Sequence, residues 1–282
     1  MPVFATPEPI SVELDLTVAR VLITASATAE TTVDIAPDSQ NQASIRDAQD
    51  TTADFSGGIL TITTPRRRGR MFVEGPKSGG IIVRIDLPAG SRLGGKGAAV
   101  NIESSGQLGE VALRTAAGRL HLEHVAALTI DTAAGDIVVD RVAGKVEVNG
   151  AHGSVWFGVI DGPAKIKSAS GLVEVGEARD VLEINGVNGN VSIGQAHTDA
   201  RARAVNGAVH VGEVRSGSVV LETAAGSIDV GIRKGTAAWL DAKATLGSVR
   251  NGLNGMDEPG AAQDKVQLRA RTQFGSIDVH RA

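Results

Sequence analysis

From Thr115 to its end the chain repeats one short pattern: a Gly, apolar residues two and four places after it, a turn, two more apolar residues one apart, then small residues before the next Gly. The glycines are Gly118, Gly135, Gly153, Gly171, Gly189, Gly207, Gly226, Gly247 and Gly275, at spacings of 17, 18, 18, 18, 18, 19, 21 and 28. A near-constant period in the high teens, filled with apolar residues at every second position, means short strands coiled into a stack of rungs. No rung of this kind can bury its own apolar side; each is covered by its neighbours.

Strand parity gives the inward rows. One row holds pairs such as Ile137/Val139, Val155/Phe157, Val173/Val175 and Ile277/Val279; the other holds Val146/Val148, Leu182/Ile184, Leu240/Ala242 and Leu268/Ala270. Each rung thus carries two strands in about 18 residues, and rungs stack through parallel ladders about 4.8 Å apart. Each repeat Gly stands at a corner that needs a positive φ or a close approach between rungs, with no space for a Cβ. Thirty-five Gly with only 2% aromatic residues suit a core of thin layers, and 42% hydrophobic content suffices to fill it. The apolar anchors fall at 2, 4, 7, 11 and 13 places after the Gly, which excludes a hexapeptide-repeat helix. Gly-Gly-x-Gly-x-Asp nonapeptides are absent, so a calcium-binding roll is excluded too.

Residues 1–95 lack the repeat but alternate strongly, as in Ile10/Val12/Leu14/Leu16, Leu60/Ile62 and Ile81/Val83/Ile85/Leu87. The expected fold is all-β: an elongated parallel β-solenoid over 96–282, one continuous unit, with residues 1–95 forming an antiparallel β cap over its first rung. The polar segment 36–57 reads as a loop or weak hairpin, and Arg66-Arg67-Arg68-Gly69-Arg70 as a solvated hairpin tip.

Two sets of residues resemble a known family. Ile85-Asp86-Leu87-Pro88-Ala89-Gly90 is a strand ending in Pro-x-Gly, and it precedes serial copies of one motif: Thr115-Ala116-Ala117-Gly118, Thr132-Ala133-Ala134-Gly135-Asp136-Ile137, Ser168-Ala169-Ser170-Gly171 and Thr223-Ala224-Ala225-Gly226-Ser227-Ile228. The layout is similar to the bacterial putative-adhesin β-strand-repeat family, a domain family of unknown function. The resemblance covers essentially the whole chain; it implies the repeat architecture and, for many members, anchoring at the cell envelope, and it implies no particular activity.

Candidate chemistry is sparse. Six places before the successive glycines stand Thr129, Glu147, Lys165, Glu183, Arg201, Val220, Asp241 and Arg269. Stacked in chain order, these outward residues form a column of alternating sign, which reads as an axial ion-pair ladder rather than a ligand groove. His121-Leu122-Glu123-His124 lacks the helical spacing of a zinc motif, and the His residues at 152, 197, 210 and 280 fall on different corners and faces. No carboxylate pair is framed as glycosidase chemistry requires; Asp257 and Glu258 sit in the Gly-rich insertion running from Gly252 to Gln263. No catalytic, cofactor or metal site is therefore expected. Trp156 and Trp239 fall on outward positions and are candidate contact residues.

Net charge is −4, without aromatics beside the Arg cluster, so nucleic acid is not an expected partner. No run approaches the roughly 18 apolar residues of a membrane span. The first residues lack a basic, apolar leader pattern and there is no Cys, so the expected location is the cytoplasm. The leading expectation is a non-enzymatic structural or protein-interaction scaffold; the alternative is a module binding carbohydrate, an envelope component or a peptide along a flat solenoid face. Only His280-Arg281-Ala282 follow the last strand, so Ile277 and Val279 are expected at an uncovered edge through which the chain forms a homo-oligomer.

Overall fold

The computed structural model describes residues 2–65, 79–253 and 264–282. The Arg66–Arg70 tip and most of the insertion after Gly252, with Asp257 and Glu258, lie outside the described residues. The chain divides into two compact units, residues 1–139 and 140–282. The division falls inside the repeat rather than at residue 95.

The first unit contains β1 (Val3–Ala5), β2 (Ser11–Ser26), β3 (Glu30–Pro37), α1 (Gln42–Asp50), β4 (Thr52–Ser56), β5 (Ile59–Thr63), β6 (Ile81–Pro88), β7 (Arg92–Ala117) and β8 (Leu120–Ala134). The chain passes to the second unit within β9 (Ile137–Val142). Parallel stacking begins far earlier than residue 96. β2 pairs in parallel with β7 from Ser11↔Arg92 to Ala25↔Gly106, and on its other side with β5 and β6. Its alternation buries Val12, Leu14, Leu16, Val21 and Ile23 as in any later rung.

Among the described residues the antiparallel pairs are β1–β3, β3–β6 and β4–β5. The physical reason is connection length. Gly57 and Gly58, at φ +58° and +79°, permit a two-residue hairpin between β4 and β5, whereas β2 reaches its parallel partner only after a long excursion. Phe4 and Phe55, on β1 and β4, meet with ring centroids 5.2 Å apart.

That excursion holds a helix where a loop or hairpin was expected. Asn41 caps α1 by accepting the Ser44 N–H at 2.7 Å, and Thr51 ends it, its N–H donating to the Asp47 carbonyl. Ser44 is buried: its hydroxyl donates to Asp38 Oδ1 at 2.6 Å and accepts the Gly80 N–H. Polar side chains thus tie this helix down, and an apolar periodicity is the wrong signal to seek.

The second unit continues with β10 (Val146–His152), β11 (Val155–Ile160), β12 (Ala164–Ser170), β13 (Val173–Ala178), β14 (Leu182–Asn188), β15 (Val191–Ala196), β16 (Ala200–Asn206), β17 (Val209–Val214), β18 (Gly217–Ala225) and β19 (Ile228–Ile232). Even-numbered strands stack in parallel as one sheet and odd-numbered strands as the other, each 18-residue step placing an inward apolar side chain on another, as Val155 on Val173 and Ile166 on Ile184. The remaining strands are β20 (Ala237–Leu246), β21 (Val249–Asn251), β22 (Lys265–Phe274) and β23 (Ile277–Arg281).

Here the stack leaves chain order. β22 lies between β18 and β20, and β23 between β19 and β21. The rung of β20 and β21 is therefore the last one, and Ile277 and Val279 are not at an edge. Both are 0% exposed and are flanked on both sides, Ile277 by Ile228 and Val249, Val279 by Val230 and Asn251.

Two side chains explain the inversion. The inward position four after each repeat Gly is apolar everywhere except after Gly247, where it is Asn251. Burying Asn251 without partners would cost on the order of 1–3 kcal/mol; Val279 fills the place instead. The position three before the Gly is Thr272 on β22 but Ala244 on β20. Thr272 Oγ1 donates to the Gly226 carbonyl at 2.9 Å, which Ala244 could not do.

Candidate interaction site

The repeat motif sets the corners. At Gly171, φ is +129°, and an added Cβ would stand 2.1 Å from the carbonyl oxygen of Gly153; at Gly189, φ is +143°, with the Gly171 oxygen 2.0 Å away. The other corner glycines share the positive φ. The Thr of the motif has a defined task as well. Thr115 and Thr132 hydroxyls donate to carbonyls two residues on, and Thr223 donates to the Gly207 carbonyl of the preceding rung. These threonines are buried, and their hydroxyls find acceptors in the corner backbone, the Ala134 carbonyl accepting the Gly118 N–H as well.

The outward charge column is present in the second unit, in an order set by the inverted rungs: Glu147, Lys165, Glu183, Arg201, Val220, Arg269, Asp241. Lys165 lies 3.8 Å from Glu183, and Arg269 Nε lies 3.5 Å from Asp241. The Asn185 amide donates to Glu183, and with Lys165 and Arg201 on either side it holds that carboxyl below its usual range. Arg271 donates to Asp241 at 2.5 Å and lowers that group likewise. Lys165→Glu would set three acids in successive rungs. The expected result is a loss on the order of 1 kcal/mol, partly recovered in high salt. Thermal melts of the variant at two ionic strengths check it, and a deficit unaffected by salt would contradict the ladder.

A second network sits at the ends of β9, β11 and β13 and has no single-column signature in the sequence. Asp161 accepts from Arg141 Nε at 2.8 Å and Arg179 Nη1 at 2.9 Å; Glu177 accepts from Arg179 Nε at 2.9 Å, with His197 Nε2 at 3.0 Å. Hydrogen bonds from Arg141 to Asp161, and from Arg179 to Glu177, depress both carboxyl pKa values. A depressed folded-state pKa contributes stability that is present above the ordinary carboxylate range, about 4, and is lost as pH falls through the lowered value. We expect the melting temperature to fall steeply on acidification below about pH 4, and Asp161→Asn to flatten that acid limb while lowering stability near neutrality. Parallel melts from neutral pH downward check both features.

Histidines expected on separate faces are in part brought together. His210 Nδ1 lies 2.8 Å and His280 Nε2 3.3 Å from the two carboxylate oxygens of Asp229. Among the described residues no group of three or more His, Cys, Asp or Glu is arranged to hold a metal ion. In the His121-to-His124 run, Glu123 accepts the Gly106 N–H at 2.7 Å, and His124 Nδ1 lies 3.5 Å from the same carboxylate.

The two tryptophans differ. Trp156 is half-buried on β11 and lies across its own strand, its ring Cη2 3.3 Å from where a Gly158 Cβ would stand. Trp239 is 63% exposed, on β20 of the last rung. Leu246 at the far end of β20 and Val249 on β21 are exposed on the same last rung, and Phe274, beside Leu246 on β22, is exposed as well. Among the described residues, no strand pairs with the outer edge of β20 or β21. The site that chain order assigns to Ile277 and Val279 is thus built by the preceding rung, and Asn251 is the residue from which the sequence reveals it.

Inward aliphatic rows, glycine corners and ion-paired outer columns define a parallel β-solenoid whose faces are repetitive. The chain belongs to the Toastrack DUF4097 family, whose model matches residues 10–282. Comparison with curated proteins gave no match. Among solved structures it is similar to a putative adhesin from Parabacteroides distasonis, at 12% identity, covering 98% of this chain and 95% of that one, with a TM-score of 0.49. A putative lipid binding protein from the same species shows 11% identity, 99% and 95% coverage and a TM-score of 0.46. A putative adhesin from Bacteroides fragilis shows 10% identity, 99% and 95% coverage and a TM-score of 0.36. These likenesses say nothing of ligands.

Proposed function

We propose that the chain is a non-enzymatic interaction scaffold of the adhesin-like kind, and that it self-associates. The observation that supports this most is the distribution of surface chemistry in the second unit. Most outward charges there are neutralised rung by rung within the chain, while Trp239, Leu246 and Val249 stay exposed on the two strands of the last rung. Exposed apolar side chains along an unpaired strand edge serve association better than catalysis. Sedimentation velocity of the intact chain over a concentration series tests it: reversible dimers or larger species are expected, and a monomer throughout would overturn self-association.

A second reading, binding along a flat face, is supported by one observation. Lys243 has no ion-pair partner among the described residues and lines a shallow groove with Asn185, Arg203, Glu222 and Arg271, beside the Lys167 and Arg201 that share Glu183 with Lys165. That excess of cations fits an anionic carbohydrate or envelope component. We also place the chain in the cytoplasm, a reading supported by the absence of Cys and tested by cell fractionation; among the described residues no helix is long and apolar enough to cross a membrane.

A further inference from the structure

The outer edge of β20 carries a self-complementary sequence. In an antiparallel pair related by a two-fold axis, residues equally far before and after the central one face each other. Centred on Ala242, the stretch from Ala238 to Leu246 sets Asp241 opposite Lys243 twice, Leu240 opposite Ala244, and Trp239 opposite Thr245. Odd positions face outward and even positions inward, so charges meet charges outside while Leu240, Ala242 and Ala244, all only half-buried, meet one another over the open core.

Neighbouring registers lack this property. Centring on Asp241 places two aspartates face to face, and centring on Lys243 places two lysines; a half-step shift sets inward side chains against outward ones. Lys243 is exposed and has no ion-pair partner among the described residues. Asp241 is held in place by Arg269 and Arg271.

We propose that a second copy of this chain pairs with the outer edge of β20 in the antiparallel register centred on Ala242, with Asp241 of each copy opposite Lys243 of the other. The two-fold axis lies along the normal of the β20 sheet, so the inward face of one copy continues into the inward face of the other. Such an interface is isologous and closes at two copies, since it consumes the open edge of each. The proposal rests on the self-association read above and specifies its edge, register and stoichiometry.

The test uses the intact chain in sedimentation velocity. Lys243→Glu alone sets acids opposite acids and is expected to raise the dimer dissociation constant at least about tenfold; Asp241→Lys alone sets cations opposite cations with the same result. An equimolar mixture of the two variants restores both opposite-charge pairs and is expected to dimerise as the unaltered chain does. This rescue cannot arise from damage to either fold. Should Asp241→Lys fail to fold, as circular dichroism would reveal, Lys243→Glu set against Lys243→Arg decides alone: the first is expected to dissociate and the second to remain dimeric. A dimer indifferent to Lys243→Glu would overturn the register while leaving self-association intact. An unaltered chain that stays monomeric would instead overturn the reading on which the proposal rests.

Discussion

Gly189→Val is expected to destabilise the protein by about 3–5 kcal/mol, more than any outward substitution. Two costs combine. The backbone there has φ +143°, a region that side chains with a Cβ rarely occupy, and the new Cβ would meet the Gly171 carbonyl oxygen at 2.0 Å. Neither side can yield, because that oxygen belongs to the neighbouring rung, which hydrogen bonds hold in register on both sheets. Glu174→Ala and Ser192→Ala, at outward positions on β13 and β15, are expected to fall within about 0.5 kcal/mol of the unaltered protein. Denaturant unfolding of the three variants checks the contrast, and equal midpoints would contradict the corner geometry.

Phe157→Ala is the second large effect, expected at about 3–5 kcal/mol. Phe157 on β11 is wholly buried, at a position where the facing residue of β13 is Val175. The stack has little means of collapsing into the space left behind, since the ladders fix the separation of rungs at about 4.8 Å. Phe157→Leu keeps most of the volume and is expected to cost less than about 1.5 kcal/mol. A loss below 1 kcal/mol on truncation to Ala would mean that the ring is not a structural filler of its rung.

The parts of the fold legible in the sequence are those with a local cause. A corner Gly about every 18 residues, aliphatic pairs at fixed offsets and the Thr before the corners at Gly118, Gly135, Gly226 and Gly275 need only their own rung and the next, so the period exposes them. The lysine and glutamates of the outward column were readable for the same reason. What was not legible depends on long-range choice. Whether β22 stacks outside β20 or inside it changes no residue's parity; the observed order keeps Asn251 on the exposed last rung and gives the Thr272 hydroxyl the Gly226 carbonyl as acceptor. That choice moved the open edge from Ile277 and Val279 to β20, and the candidate contacts with it. The parallel placement of β2 was hidden because its partner strand begins after an excursion containing α1, whose cap at Asn41 is a polar signal. The network of Arg141, Asp161, Arg179, Glu177 and His197 was also missed, since it forms at a corner between columns rather than along one.

β20, not the last strand of the chain, ends the stack and presents the edge. With no native Cys in the chain, oxidative cross-linking of two designed pairs tests it directly. In the structure Ser227, Ser276 and Ser248 follow one another in successive rungs, with Ser276 N–H 3.4 Å from Ser227 Oγ and Ser248 Oγ 3.2 Å from Ser276 Oγ. Adjacent rungs bring Cα atoms within disulfide range, and rungs two apart do not. Ser227→Cys with Ser276→Cys is expected to form an intramolecular disulfide, seen as a loss of about 2 Da and of free thiol, whereas Ser227→Cys with Ser248→Cys is expected to stay reduced. Efficient bridging of the second pair and none of the first would restore chain order to the stack and contradict the claim.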